Sequence, residues 1–303
     1  GSSRVHCGRF DKTINDLYYD LQVNSLVNPE LSVTAEHLAY PGVKELAFQQ
    51  QPHRRLFAIV NGDLISTTIN RFEKVSGFSH HSVSGQIISI TSVPGEKQDD
   101  LWMVVRRTVN NVQKQYVETI DPDFLRGDVE DAFFSDCGGT YEGTDTNTVT
   151  GATWLAGKTV TILADGKVLP PTAVSGAGVL TLPNAVKAGV IQFGLPIQAK
   201  VRLLRAPAQS TDGTAFGRRM RIVGADADVY ETKGLKIVSN RGKTDLLKEA
   251  PASVREDPGE LITGTRRVMV DGSWTSEGVL EFLMDDPLPG TIRAVNVYVE
   301  TED

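Results

Sequence analysis

The chain has 303 residues, 40% hydrophobic and 23% charged, enough for about two or three domains with their own cores. A formal net charge of −7 excludes a nucleic-acid grip through basic surface, while an acidic surface suits a channel through which DNA slides without sticking. Cys7 and Cys137 lack CxxC spacing, which excludes a cysteine zinc site and a disulfide scaffold, and no apolar run of about eighteen residues offers a helical membrane span.

The N-terminus, GSSRVHCGRF, is polar and lacks a Met, so we expect no secretory leader here and a chain that is processed or part of a longer one. From there almost every periodic stretch reads as strand. Leu31–Thr34, Val43–Gln49, RLFAIV (55–60), LISTTI (64–69), IISITSV (87–93), LWMVVRRTV (101–109) and KQYVETI (114–120) follow one another at short intervals. Turn signals at Asn61-Gly62-Asp63, Pro94-Gly95 and Asn110-Asn111 separate them, as in an all-β sheet array. Each pair looks like inner and outer strands of a propeller blade, without a strict repeat. About two or three blades' worth is too few to close a ring, so the rest is expected upstream of residue 1 or in another chain.

A charged stretch, 126–137, reads as a linker or short helix between this platform segment (1–125) and a small β module (138–205). In that module Gly157-Lys158-Thr159 imitates the end of a phosphate-binding loop. Five residues, not four, separate it from Gly151, and the β-branched Thr159–Leu163 that follows is strand, not the helix whose free amides would hold a phosphate. Asp165-Gly166, between Thr159–Ala164 and Lys167-Val168-Leu169, predicts a type I′ hairpin. Ser175–Gly178 gives a further turn. The last unit, 206–303, carries strand patterns at 217–232, 233–239, 263–271, 278–286 and 292–300 around a polar loop at 240–260. No helix longer than about three turns is expected. The fold class is therefore all-β: a partial propeller-like array, a small β-barrel module and a C-terminal β-sandwich-like domain.

No residue type stands in a catalytic or metal-binding pattern, and no catalytic, cofactor or metal residue is assigned. His80-His81 on a strand point to opposite faces and lack ligands at metal spacing. Asp99-Asp100, Asp226/Asp228, Asp285-Asp286 and Glu256-Asp257 are the carboxylate pairs a glycosidase would need, but each sits at a strand end or turn, where Asp caps the backbone. Glu142–Thr148 packs oxygen ligands for calcium without the spacing of an EF-hand loop. Trp102, Trp154 and Trp274 read as core; on one exposed face they would suit a sugar. The pairs Arg106-Arg107, Arg218-Arg219 and Arg266-Arg267 each put one member outward and suit subunit salt bridges better than DNA contacts.

Taken in order, LAFQQQPHRRLFAIVNGDLISTTI, GFSHHSVSGQIISITSVP, DDLWMVVRRTVNNVQKQYVETID, DCGGTYEGTDTNTVTGATWLAGKTVTILADGKVL, VIQFGLPIQAKVRLL and GRRMRIVGADADVYETKGLKI resemble the large structural proteins that form the tail nozzle of short-tailed bacteriophages. The resemblance spans nearly the whole chain, with no single diagnostic motif. The middle segment also looks like a small β-barrel module of ubiquitin-activating enzymes, an analogy of fold only. At Phe78-Ser79-His80-His81 members often carry a Trp before the histidine, so no role carries over to either histidine. Members usually have several hundred more residues N-terminally. The resemblance implies a virion protein without catalysis or cofactor: a homo-oligomeric ring, commonly a hexamer, between portal or adaptor and tail fibres, through which double-stranded DNA is ejected. The alternative expectation is a glycan- or receptor-binding tail component, marked by exposed aromatics beside paired carboxylates.

Overall fold

The computed structural model describes residues 4–70, 75–96, 98–120, 128–205, 209–210, 213–214, 217–240, 244–247 and 261–302. It is all-β, built from small antiparallel sheets, and divides into two compact units, 1–122 and 123–303.

The first unit holds three sheets. β1 (Arg4–Cys7), β2 (Ile14–Asp20) and β3 (Ser25–Val27) form the first. The second runs in sequence order through β4 (Val43–Gln49), β5 (Arg55–Val60), β6 (Asp63–Asn70) and β7 (Val75–His81). β8 (Gln86–Pro94), β9 (Asp99–Val109) and β10 (Val112–Thr119) make the third. Both faces of the second sheet are apolar. Leu56, Ala58, Val60 and Ile65 pack on Ile14, with Val5 and Cys7 of the first sheet against them. Phe57, Ile59 and Leu64 pack on Ile87, Ile90, Leu101, Met103 and Val105 of the third. That explains why RLFAIV is a continuous apolar run: a strand covered on both sides does not alternate. The outer sheets do alternate, and leave Tyr19 and Leu26 exposed at one end of the stack and Trp102 and Val117 at the other.

The strand expected at Leu31–Thr34 is instead a 3₁₀ turn, Ser32–Ala35, leading into a four-residue helix, Glu36–Ala39. Ser32 Oγ donates to Glu30 (2.7 Å) and accepts the Ile14 amide (3.1 Å), a side-chain bond that competes with a β ladder. β1, β2 and β3 were not expected.

In the second unit β11 (Asp136–Thr146), β13 (Thr159–Ala164), β14 (Lys167–Ala173) and β16 (Ala188–Leu195) form a sheet ordered β11-β16-β13-β14, beside a two-strand ribbon of β12 (Thr148–Val149) and β15 (Leu180–Thr181). These surround a core of Val160, Ile162, Leu180, Ile191 and Phe193. The expected barrel is not closed: β14 ends the sheet at one side and β11 at the other. The hairpin β13–β14 turns at Asp165 (φ 44°) and Gly166 (φ 71°), the two positive φ values a type I′ turn needs. The stretch preceding the module is anchored through Val129 and Ala132, which pack with Leu163 and Leu288.

The C-terminal part is a sandwich. One layer is β17 (Ala199–Arg202), β24 (Glu281–Met284), β21 (Lys236–Val238) and β22 (Thr244–Leu246); the other is β23 (Ile262–Met269), β20 (Met220–Thr232) and β25 (Thr291–Thr301). A short pair, β18 (Gln209–Ser210) and β19 (Gly213–Thr214), precedes β20. Ile222, Ala227, Val229, Ile237, Leu280 and Phe282 fill the space between layers, with Val295, Val297 and Val299 of β25 against them.

Candidate functional site

β20 reads Ala225-Asp226-Ala227-Asp228-Val229-Tyr230, and the period of two sends its alanines and valine inward and its aspartates and tyrosine to the outer face. Antiparallel register then brings arginines from both neighbouring strands onto that face. Arg267 of β23 grips Asp226 through Nε (2.9 Å) and Nη2 (3.3 Å), the planar fork matching the carboxylate. Tyr298 of β25 also donates to Asp226, and the Arg267 guanidinium lies 4.7 Å from the Tyr298 ring centre. Arg293 Nη2 donates to Asp228 (2.8 Å) and sits 5.9 Å from the Tyr230 ring centre. At the other end Arg221 Nη2 donates to Glu300 (2.8 Å), with its guanidinium 5.7 Å from Trp274. Each cluster thus combines a guanidinium, a carboxylate and an aromatic ring.

Hydrogen bonds from Arg267, then from Tyr298, hold the Asp226 carboxyl below the usual carboxylate range. A hydrogen bond to Glu231 lifts the Tyr230 phenol above its usual value. With Asp226 and Asp228 both gripped by guanidinium, the pair suits ordering of the face better than donation of a proton.

The other expected residues are scattered. His80 shares a hydrogen bond with Asp63 (3.0 Å) and His81 with Ser66 (2.7 Å), on opposite faces of β7 as neighbours on a strand must be. Desolvation, with Arg55 and His80 nearby, pushes the His81 imidazole below its usual value. Asp99 accepts the backbone amides of Gln50 (2.7 Å) and Gln51 (3.0 Å), a capping role. Asp285 and Asp286 pair with Lys236. Glu256-Asp257 lie outside the described residues. Glu142–Thr148 is mostly strand rather than a loop: Glu142 and Thr146 of β11 pair with β16 across a bulge, and after a bend at Asn147 the chain enters β12 at Thr148. Among the described residues, no group of three or more His, Cys, Asp or Glu side chains gathers as metal ligands would. No helix of the described residues is long and apolar enough to cross a membrane.

Two expectations are corrected. Trp154 is core, donating to the Cys137 carbonyl (3.0 Å) and stacking on Phe193, but Trp102 is exposed on the face of β9 and Trp274 in the segment after β23. Asp226 and Asp228, expected at a strand end or turn, stand in the middle of β20. Of the arginine pairs, Arg107 is an inward member, and Arg267 an outward one that pairs within the chain. Arg107 is buried on the inner face of β9 and bidentate to Glu118 (2.6 Å on each arm), with a third bond to the Ser84 carbonyl (3.0 Å). Arg221, Arg293, Tyr230 and Tyr298 escaped sequence reasoning; the alternation of polar with apolar residues in β20 and β25 was the signal available.

Fold and face together define an all-β protein of stacked small sheets carrying one ordered polar–aromatic surface. Compared with known proteins, the chain matches no family model and no curated sequence.

Proposed function

We propose that the chain is a structural subunit of a short-tailed phage tail, part of the nozzle ring through which the genome leaves. The observation that carries this reading is the open stack of the first unit. Its inner sheet faces are apolar and covered, while its two end faces present Tyr19 with Leu26 and Trp102 with Val117 to solvent, as in a slice of a longer sheet assembly. The order of sequence segments resembling nozzle proteins supports it, as does a net charge of −7, which suits a passage that must not hold DNA. On this reading the protein acts in the virion, without catalysis, as a homo-oligomer held by portal or adaptor and tail fibre proteins.

Mass by light scattering after size exclusion, at two concentrations, tests it. A discrete ring of about six to twelve copies, with an axial channel in negative-stain images, is the expected result. A chain that stays monomeric, alone and with the adaptor ring of its virion, would remove the reading.

A further inference from the structure

We propose that the outer face of the β23-β20-β25 sheet is a binding site for a neutral oligosaccharide laid along β20. This goes beyond the structural role and does not depend on it. Three aromatic rings mark the track. Trp274 lies beside Arg221, Tyr298 opposite Gly224, and Tyr230 at the far end of β20. At the rise of an extended strand the distance from Arg221 to Tyr230 is about 30 Å, room for several sugar rings in line. Trp274 (40% exposed) and Tyr230 (44% exposed) keep ring surface in solvent, an arrangement that stability alone does not require.

Charge selects the ligand. Arg221, Arg267 and Arg293 are matched by Glu300, Asp226 and Asp228 at 2.8 to 3.3 Å, so the three ion pairs sum to zero, and Glu231 beside Tyr230 adds one further carboxylate. A phosphate, sulfate or acidic sugar finds no uncompensated cation here. A guanidinium has five N–H donors and each pair uses one or two, and a carboxylate retains free lone pairs, so both remain available to hydroxyls. Asn296, opposite Asp226, adds an amide to the middle of the track. Apolar protein surface placed on this face would desolvate three ion pairs without replacing the hydrogen bonds of water. A polyhydroxylated ligand replaces them while its C–H faces stack on the rings. Ion pairing and ring contacts already order the arginines, which lowers the entropy cost of binding.

The test titrates the full 303-residue chain with neutral glucan, mannan and galactan oligomers, reading tryptophan fluorescence and calorimetric heat, and with dextran sulfate as the anionic probe. At least one neutral oligomer should bind with an affinity insensitive to salt. Trp274→Ala and Tyr230→Ala should each weaken it several-fold, and together roughly tenfold or more, with the thermal midpoint unchanged. Trp102→Ala, in the other unit, should leave it intact. Failure of every neutral oligomer to bind at millimolar concentration would overturn the proposal. So would binding of dextran sulfate alone with loss in salt, or a change of solution mass rather than of sugar affinity in the Trp274 variant, which would make the face a subunit contact.

Discussion

Arg107 in the first unit and Arg267 in the second each hold a carboxylate on a neighbouring antiparallel strand through two nitrogens. Arg107 is 3% exposed at its side chain and faces the packed interior, whereas Arg267 is 62% exposed on an open sheet face. Burial alone separates their roles. Inside, the guanidinium must keep every partner, because an unpaired charge there has no water to turn to. Outside, the same pair adds little stability and is free to order a surface.

The largest expected effect comes from breaking the buried member. Arg107→Ala leaves Glu118 and the Ser84 carbonyl without their donor and should cost the first unit about 3 kcal/mol. Urea unfolding followed through Trp102, the tryptophan of that unit, measures it. Replacing both partners, Arg107→Met with Glu118→Leu, should return stability to within about 1 kcal/mol of the parent, since the desolvation of both charges is then relieved. Failure to recover would mean that shape or the Ser84 bond matters more than charge.

A smaller effect is expected from pH. His81 has a folded value below its unfolded one, so the unfolded state binds the extra proton first. Stability of the first unit should be complete above the ordinary imidazole value and fall as pH drops from there towards the depressed folded value, then level off. His81→Gln should flatten that slope; an unchanged pH profile would contradict the depressed value of this ring beside Ser66 and Arg55. The smallest effect belongs to the exposed arginine. Arg267→Ala should leave the unfolding midpoint of the second unit where it was. A loss approaching that of Arg107→Ala would erase the contrast between the two sites.

Much of this was legible in advance. Asp165-Gly166 carried its hairpin because the turn's φ requirements are local, and Gly157-Lys158-Thr159 was rejected as a phosphate loop because strand chemistry follows it; Gly157 instead takes φ 74° in the turn before β13. Ser32 was misread because a single side-chain hydroxyl diverted the backbone into a 3₁₀ turn.

By itself the sequence determined that the protein is all-β, where many of its strands and turns lie, and that no familiar catalytic or metal motif is written into it. Those properties depend on neighbours a few residues apart: side-chain period, β-branching and turn residues. Only the tertiary structure decided that Arg107 is buried while Arg267 is open, and that three arginines meet their carboxylates and rings on one face. Those partners stand 41, 65 and 79 residues apart in sequence, and strand register, which no local pattern specifies, brings them together.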